Sequence, residues 1–162
     1  MTLEEFRAVT AQQRWRSYAS SFIEEKSISA DAMEHFGTYW IEGGHRIREQ
    51  IADDPLLVRL LRHVLPAYDG EGLELYRGEN RGRWDSGRIG LAWTQNLETA
   101  KMFGSGLNAV GTGGVLLKGR FNVGAIISGL NRHSVYLGEG QFTVDPFASA
   151  TISAVEFYPA VS

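Results

Sequence analysis

The spacing of apolar residues changes near residue 70, and this change constrains the fold more than any other feature of the sequence. Before it, large apolar side chains recur at steps of three and four residues, as in amphipathic helices. From Leu73 onward, short apolar runs alternate with glycine-containing turns, which is typical of strands. The sequence therefore predicts an α+β fold, with an N-terminal helical lobe over residues 1–70 and a β core over residues 71–162, together forming one compact domain.

Three helices are predicted in the first part. They cover residues 3–23, residues 30 to about 51, and residues 53 to about 66. Thr2, with Glu5 three residues later, forms a capping box, and Ser29 or Asp31 can cap the second helix. The pair Gly43 and Gly44 is expected to break or bend that helix, because glycine is a poor helix former.

Five or six strands are predicted in the second part. They lie at residues 73–77, 88–94, 115–121, 124–127, 138–144 and 151–158, with a short helix at 96–103 and a mobile glycine-rich loop at 104–114. The strand pattern favours a mixed, mostly antiparallel sheet.

Composition excludes several classes of protein. The chain has no cysteine, so disulfides and thiolate chemistry are excluded, and its four histidines do not stand at zinc-ligand spacing. A net charge of -3 gives no general attraction to nucleic acid or anionic membrane. No apolar run approaches the roughly 20 residues that span a bilayer, and the first residues do not resemble a secretion signal. We expect a soluble, cytoplasmic protein without a metal or a membrane partner.

Three polar signals stand on the predicted strands. The first is Tyr76-Arg77-Gly78, where the guanidinium could hold a phosphate or carboxylate in a bidentate fork; a solvent-facing arginine is the alternative. The second is Trp93-Thr94, which offers a stacking face and a hydroxyl, although Trp93 fits a core position equally well. The third is 138–146, where Glu139 and Gln141 are two residues apart and so share one face of a strand.

In this order, the three signals resemble the R-S-E class of ADP-ribosyltransferases. The resemblance covers about half the chain, from residue 73 to residue 158, and it implies a split, mostly antiparallel core with an NAD cleft between its two halves. In that family Arg77 and Gly78 would bind the NAD phosphates or adjoining ribose, and Thr94 would supply the hydroxyl beside Trp93 in the nicotinamide pocket. Tyr136 would contact the acceptor substrate, although a hydrophobic anchor under its loop is an equal alternative.

The last signal departs from the family pattern, Glu-x-Glu. The resemblance makes Glu139 the residue that orients or deprotonates the acceptor and puts Gln141 at the position of the catalytic glutamate. An amide keeps a hydrogen bond to ribose but loses the attraction of a carboxylate for a cationic transition state. Three explanations fit: an introduced substitution, a natural member of low activity, or a two-residue slip in register that would make Glu139 catalytic.

The resemblance implies a mono-ADP-ribosyltransferase, a glycosyltransferase that takes NAD as co-substrate and is weakened or inactive as written. Its acceptor would be a macromolecule, protein or nucleic acid. The alternatives are an NAD glycohydrolase, a catalytically silent NAD-binding or interaction module, and a purely structural domain. A small chain of this type is compatible with a bacterial or phage toxin or effector, whose partner would be an antitoxin or immunity protein. Arg81, Arg83 and Arg88 could contact nucleic-acid phosphates, although a solvated turn explains them more simply.

Overall fold

The computed structural model describes residues 1–131, 135, 137–138, 140–148 and 150–162, with only the backbone at Ala150. The chain divides into two compact units, Met1–Ala67 and Tyr68–Ser162. The first is helical and the second contains the sheet, so the predicted α+β class and the order of its two parts are confirmed. None of the helices in the described part of the chain has the length and apolar character needed to span a bilayer.

Four helices build the first unit. They are α1 (Leu3–Ala11), α2 (Trp15–Glu24), α3 (Ala30–Ile51) and α4 (Asp54–Val64). The predicted capping box at Thr2 and Glu5 is present, and the Ser29 side chain accepts a hydrogen bond from the amide of Ala32. Asp53 caps α4 in the same way. The starts of α1, α3 and α4 are therefore readable from the sequence, because each is fixed by a local side-chain contact.

The prediction of one helix over residues 3–23 is wrong, because the chain turns between α1 and α2. Gln13 takes a left-handed backbone conformation with φ of 53°, and the amide of Arg14 donates to the carbonyl of Val9. The turn brings the indole of Trp15 into the core, where its Nε1 donates to Thr10 Oγ1 over 2.8 Å. Burial of this large ring stabilises a turn that local sequence alone does not require.

The predicted break at Gly43 and Gly44 is absent, and α3 continues through both residues. A Cβ on Gly43 would lie 2.9 Å from the Tyr39 ring, and one on Gly44 would lie 2.9 Å from the Trp40 ring. The two glycines therefore make room for aromatic side chains one helical turn earlier. Tyr39 in turn stacks with Phe6 and Trp15 in the aromatic core of this unit.

Within the described residues, the second unit contains one six-stranded sheet and two named α-helices. Its strands are β1 (Leu73–Asn80), β2 (Ala92–Thr94), β3 (Gly114–Phe121), β4 (Ile126–Ser128), β5 (Gln141–Val144) and β6 (Ala150–Tyr158). The order across the sheet is β4-β5-β2-β1-β3-β6, and every described pairing between these strands is antiparallel. The short helix α5 (Arg81–Asp85) follows β1, and α6 (Leu97–Ser105) follows β2.

One face of this sheet forms the core of the second unit. Leu75, Trp93, Leu117, Phe121 and Phe142 all belong to it, and the rings of Trp93 and Phe121 meet edge to face at 4.9 Å. The strand predicted at residues 88–94 is shorter than expected. The amide of Gly90 binds the carboxylate of Glu79 over 2.9 Å and does not join a strand ladder, so regular pairing begins only at Ala92.

Three glycines allow α6 to lie directly on the opposite face. A Cβ on Gly78 of β1 would overlap the carbonyl oxygen of Ala100 and the amide of Gly104. A Cβ on Gly114 of β3 would overlap the Gly104 carbonyl. Backbone therefore packs on backbone here, an approach that only glycine permits. The loop predicted at 104–114 contains a 3₁₀ turn, Leu107–Ala109. The side-chain amide of Asn80 donates a hydrogen bond to the carbonyl of Val110 in this loop over 2.9 Å.

Candidate active site

The three polar signals of the sequence meet at β2. This short strand lies between β1 and β5, which carry the other two signals. Thr94 is paired with Tyr76 on one side and with Gln141 on the other. Residues directly opposite each other in antiparallel strands share a face of the sheet. Thr94 and Gln141 therefore project together, on the face that α6 partly covers.

The Thr94 hydroxyl is held in place and uses only part of its hydrogen-bonding capacity within the described residues. The residue is only 7% exposed, and its Oγ1 accepts a hydrogen bond from the amide of Asn96 over 3.0 Å. Asn96 in turn caps α6 through Thr99, so the turn between β2 and α6 fixes the hydroxyl. A hydroxyl has one donor as well as two acceptor positions. Its O–H has no acceptor within the described residues and remains for a ligand.

Gln141 begins β5 and is partly exposed. Its amide has no hydrogen-bond partner in the described part of the chain. It follows Gly140, which has a φ of 55° and would place a Cβ 3.6 Å from Thr94 Oγ1. The backbone before β5 thus passes close to the threonine hydroxyl. Within the described residues, an amide and an O–H without partners therefore lie side by side, and such a pair is suited to binding neighbouring ligand hydroxyls.

Arg77 lies on the other face of the sheet. It alternates with Tyr76 along β1 and is paired with Leu117, whose side chain belongs to the core. Its Nε donates to Glu79 Oε2 over 2.7 Å, and its Nη1 donates to the carbonyl of Ala92 over 2.9 Å. The side chain is 17% exposed. Arg77 therefore contacts the same short strand as Gln141, but from the side opposite Thr94.

Glu79 is a residue of this region that sequence reasoning missed. Its side chain is 1% exposed, and it accepts hydrogen bonds from Arg77, from the amide of Gly90 and from the amide of Asn80. Burial raises the pKa of Glu79, but the charge and hydrogen bond of Arg77 and the two amides outweigh burial, so its pKa lies below the ordinary value. Residues two apart on a strand project from the same face, so the spacing of Arg77 and Glu79 in the sequence could have predicted this ion pair.

Acid should remove the stabilisation that Glu79 provides. Because its folded pKa is depressed, its contribution is complete above the unfolded value of about 4.3 and is lost as the pH falls through the folded value. At pH 7, Glu79→Gln should lower the free energy of unfolding by about 3 kcal/mol, since it removes a buried carboxylate and leaves the partly buried Arg77 without its counter-ion. Urea titrations of both proteins should show this difference shrinking below about pH 4. A difference that stays constant down to pH 3 would contradict the assignment.

Comparison with family models, with curated proteins and with solved structures finds no match to this chain.

Trp93 and Gly78 have structural roles. Trp93 is 1% exposed and donates through Nε1 to the carbonyl of Gly90 over 2.9 Å, so it takes the core position that the sequence left as an alternative. Gly78 faces α6 at the close backbone contact described above. Neither residue offers a ligand-facing polar group in this structure, and their contribution to cofactor binding stays a prediction.

Two of the predicted site residues, Glu139 and Tyr136, lie outside the described residues.

Two of the three arginines near the first signal, Arg81 and Arg83, contact neighbouring side chains. Arg81 lies 4.6 Å over the Phe157 ring and 3.7 Å from Asp85, and Arg83 lies 3.5 Å from Glu79. Arg88 is exposed. The cluster thus includes a pair with the buried glutamate, while its use for nucleic acid stays a prediction.

Proposed function

We propose that this chain is a mono-ADP-ribosyltransferase, which cleaves NAD at the nicotinamide glycosidic bond and transfers ADP-ribose to a protein or nucleic-acid acceptor. The observation that supports this best is the meeting of all three signals at β2: Arg77 binds the carbonyl of Ala92, and Thr94 is paired with Gln141. Arg77 and Gln141 are far apart in sequence, and the sheet order brings both next to β2, on opposite faces of the sheet. The split form of the sheet and an NAD cleft belong to this proposal.

Each side chain has a role that suits a dinucleotide. The planar cation of Arg77 is suited to the phosphates, and the Thr94 hydroxyl and Gln141 amide to the nicotinamide ribose. Because Arg77 lies on the opposite face, NAD would extend around the end of β2, which has three residues and a length of about 10 Å. The glycosidic bond would break through a loose, cationic transition state, and an acceptor nucleophile would then attack the sugar.

The neutral amide at position 141 also favours a second candidate, an NAD-binding module without turnover. Binding of the ribose needs only hydrogen bonds, which Gln141 can make, whereas stabilisation of the cation needs a carboxylate. An interaction present equally in the ground state and the transition state supports binding and not rate. The two candidates therefore share one NAD site and differ in nicotinamide release.

The test is calorimetric titration of NAD into the chain as written, into Thr94→Val and into the control Thr151→Val. Valine keeps the shape of threonine and removes the hydroxyl. Thr94→Val should weaken NAD binding about fivefold, the effect of one lost hydrogen bond of about 1 kcal/mol. Thr151 is exposed on the edge strand β6, so its variant should bind as the parent does. Absence of NAD binding by the parent would overturn the proposal.

A further inference from the structure

We propose that Glu79 positions Arg77 for a phosphate-bearing ligand, with Gly90 providing the space in which the guanidinium is held. This inference rests on the proposed function. Glu79 itself is almost completely buried and cannot reach a ligand, so it would act through Arg77. It is therefore a positioning residue and not a catalytic one.

The carboxylate of Glu79 is fixed independently of the arginine. Its Oε2 accepts from the amide of Gly90 over 2.9 Å, and its Oε1 accepts from the amide of Asn80 over 2.8 Å. Backbone amides do not change rotamer, so they set the orientation of the carboxylate. Arg77 Nε then docks on Oε2 over 2.7 Å. Charge-assisted bonds of this length are among the stronger ones in proteins.

A second anchor sets the plane of the guanidinium. Arg77 Nη1 donates to the Ala92 carbonyl over 2.9 Å. An arginine has five N–H donors. Two of the five are bound within the described residues, which leaves three for a ligand. A guanidinium held at two points loses less conformational freedom when a phosphate binds, so pre-orientation should raise affinity.

Gly90 provides space for the guanidinium. A Cβ there would overlap Nη2, Cζ and Nε of Arg77. The backbone of Gly90 is not among the positive-φ glycines, so its conformation is open to any L-residue. Glycine is required at this position by the approach of Arg77 and not by the turn.

A second arginine lies at the same carboxylate. Arg83 Nε is 3.5 Å from Glu79 Oε1, and Arg77 Nε is on Oε2, so the two arginines approach different oxygens of Glu79. The planar guanidinium of Arg77 is suited to a phosphate, which is the second reason to assign a phosphate to this position.

The first test measures binding of NAD, and of nicotinamide riboside, which lacks the phosphates, to Glu79→Gln and to the control Glu74→Gln. Glu74 is an exposed residue of the same strand and pairs with Lys118 and Arg120. Glu79→Gln should weaken NAD binding about tenfold and leave nicotinamide riboside unchanged, and Glu74→Gln should change neither. Equal weakening of both ligands by Glu79→Gln would indicate a merely structural role and overturn the inference.

Gly90→Ala keeps both charges and provides a test if Glu79→Gln does not fold. Its methyl group should displace the guanidinium and weaken NAD binding about tenfold. Gly124→Ala is the control, because its Cβ would meet only Asn122 Oδ1 at 3.5 Å. In an Arg77→Lys background, which retains the charge without the fork, Gly90→Ala should have no further effect.

The outcomes separate the two proposals. If the parent does not bind NAD, the proposed function fails and this inference fails with it. If the parent binds NAD and Arg77→Lys weakens binding, but Gly90→Ala and Glu79→Gln do not, only the positioning role of Glu79 is overturned.

Discussion

Gln141→Glu is expected to raise the rate of nicotinamide release from NAD about 10²- to 10³-fold. The new carboxylate would lie opposite Thr94 in the pairing of β2 and β5, where it could face the positive charge that develops on the ribose. The charge is largest in the transition state, so kcat should rise much more than affinity for NAD changes. A large gain in rate with little gain in binding would distinguish a weakened transferase from a binding module.

The measurement is the rate of nicotinamide release at saturating NAD, with the dissociation constant of NAD determined for the same proteins. Gln95→Glu is the matched control, since it adds the same charge at an exposed position one residue after Thr94. It should leave the rate unchanged. Equal gains from both variants would indicate a general effect of negative charge. Equal, slow release by Gln141→Glu and the parent, with NAD bound to both, would favour the binding module.

Labelled NAD then separates transfer from hydrolysis. If Gln141→Glu attaches label to a macromolecule in a cell lysate, the acceptor can be isolated and identified as protein or nucleic acid. If NAD is consumed without labelling, water is the acceptor and the protein is an NAD glycohydrolase.

The register of β5 bears on the choice between position 139 and position 141. Gln141 is the residue that pairs with Thr94, and Phe142, the next residue, pairs with Trp93 and joins the core. A shift of one residue would put Gln141 in the core and Phe142 on the face of Thr94. A shift of two would keep the faces, and Glu139 lies outside the described residues. The pairing therefore favours Gln141 over its neighbours as the position opposite the hydroxyl.

The features that the sequence predicted well are those with local causes. The cap at Ser29 depends on a contact with Ala32, and the change to strand spacing after residue 70 depends on alternation within single strands. The features that it missed depend on distant residues. Gln13 is left-handed because Trp15 turns into the core, and Gly43 stays helical because it accommodates the Tyr39 ring.

The site shows the same division. Alternation along β1 could have placed Arg77 and Glu79 on one face of the strand and Tyr76 on the other, since that rule needs no knowledge of the partner strand. The burial of Trp93 could not have been decided, because both faces of a three-residue strand are defined by its neighbours. The pairing of Thr94 with Gln141 joins residues far apart in sequence and required the sheet order.

Gly78→Ala should destabilise the second unit by about 3 kcal/mol or more. Its methyl group would overlap the carbonyl of Ala100 and the amide of Gly104, which are backbone atoms and cannot move aside by changing rotamer. Either α6 must shift away from β1 or the strand must bend. The loss should appear as a lower midpoint in urea denaturation, and Gly124→Ala, with only an ordinary side-chain contact, should leave the midpoint unchanged.

The same variant decides between two roles for Gly78. If Gly78 serves to let α6 lie on the sheet, Gly78→Ala should lower the stability of the protein. NAD binding should then fall only in proportion to the fraction of unfolded protein. If Gly78 instead serves to let a phosphate approach the backbone beside Arg77, NAD binding should fall while the urea midpoint holds. The overlap with Ala100 and Gly104 favours the first outcome, because these atoms already occupy the space that a ligand would need. A stable Gly78→Ala protein that no longer binds NAD would instead show that Gly78 contributes to NAD binding.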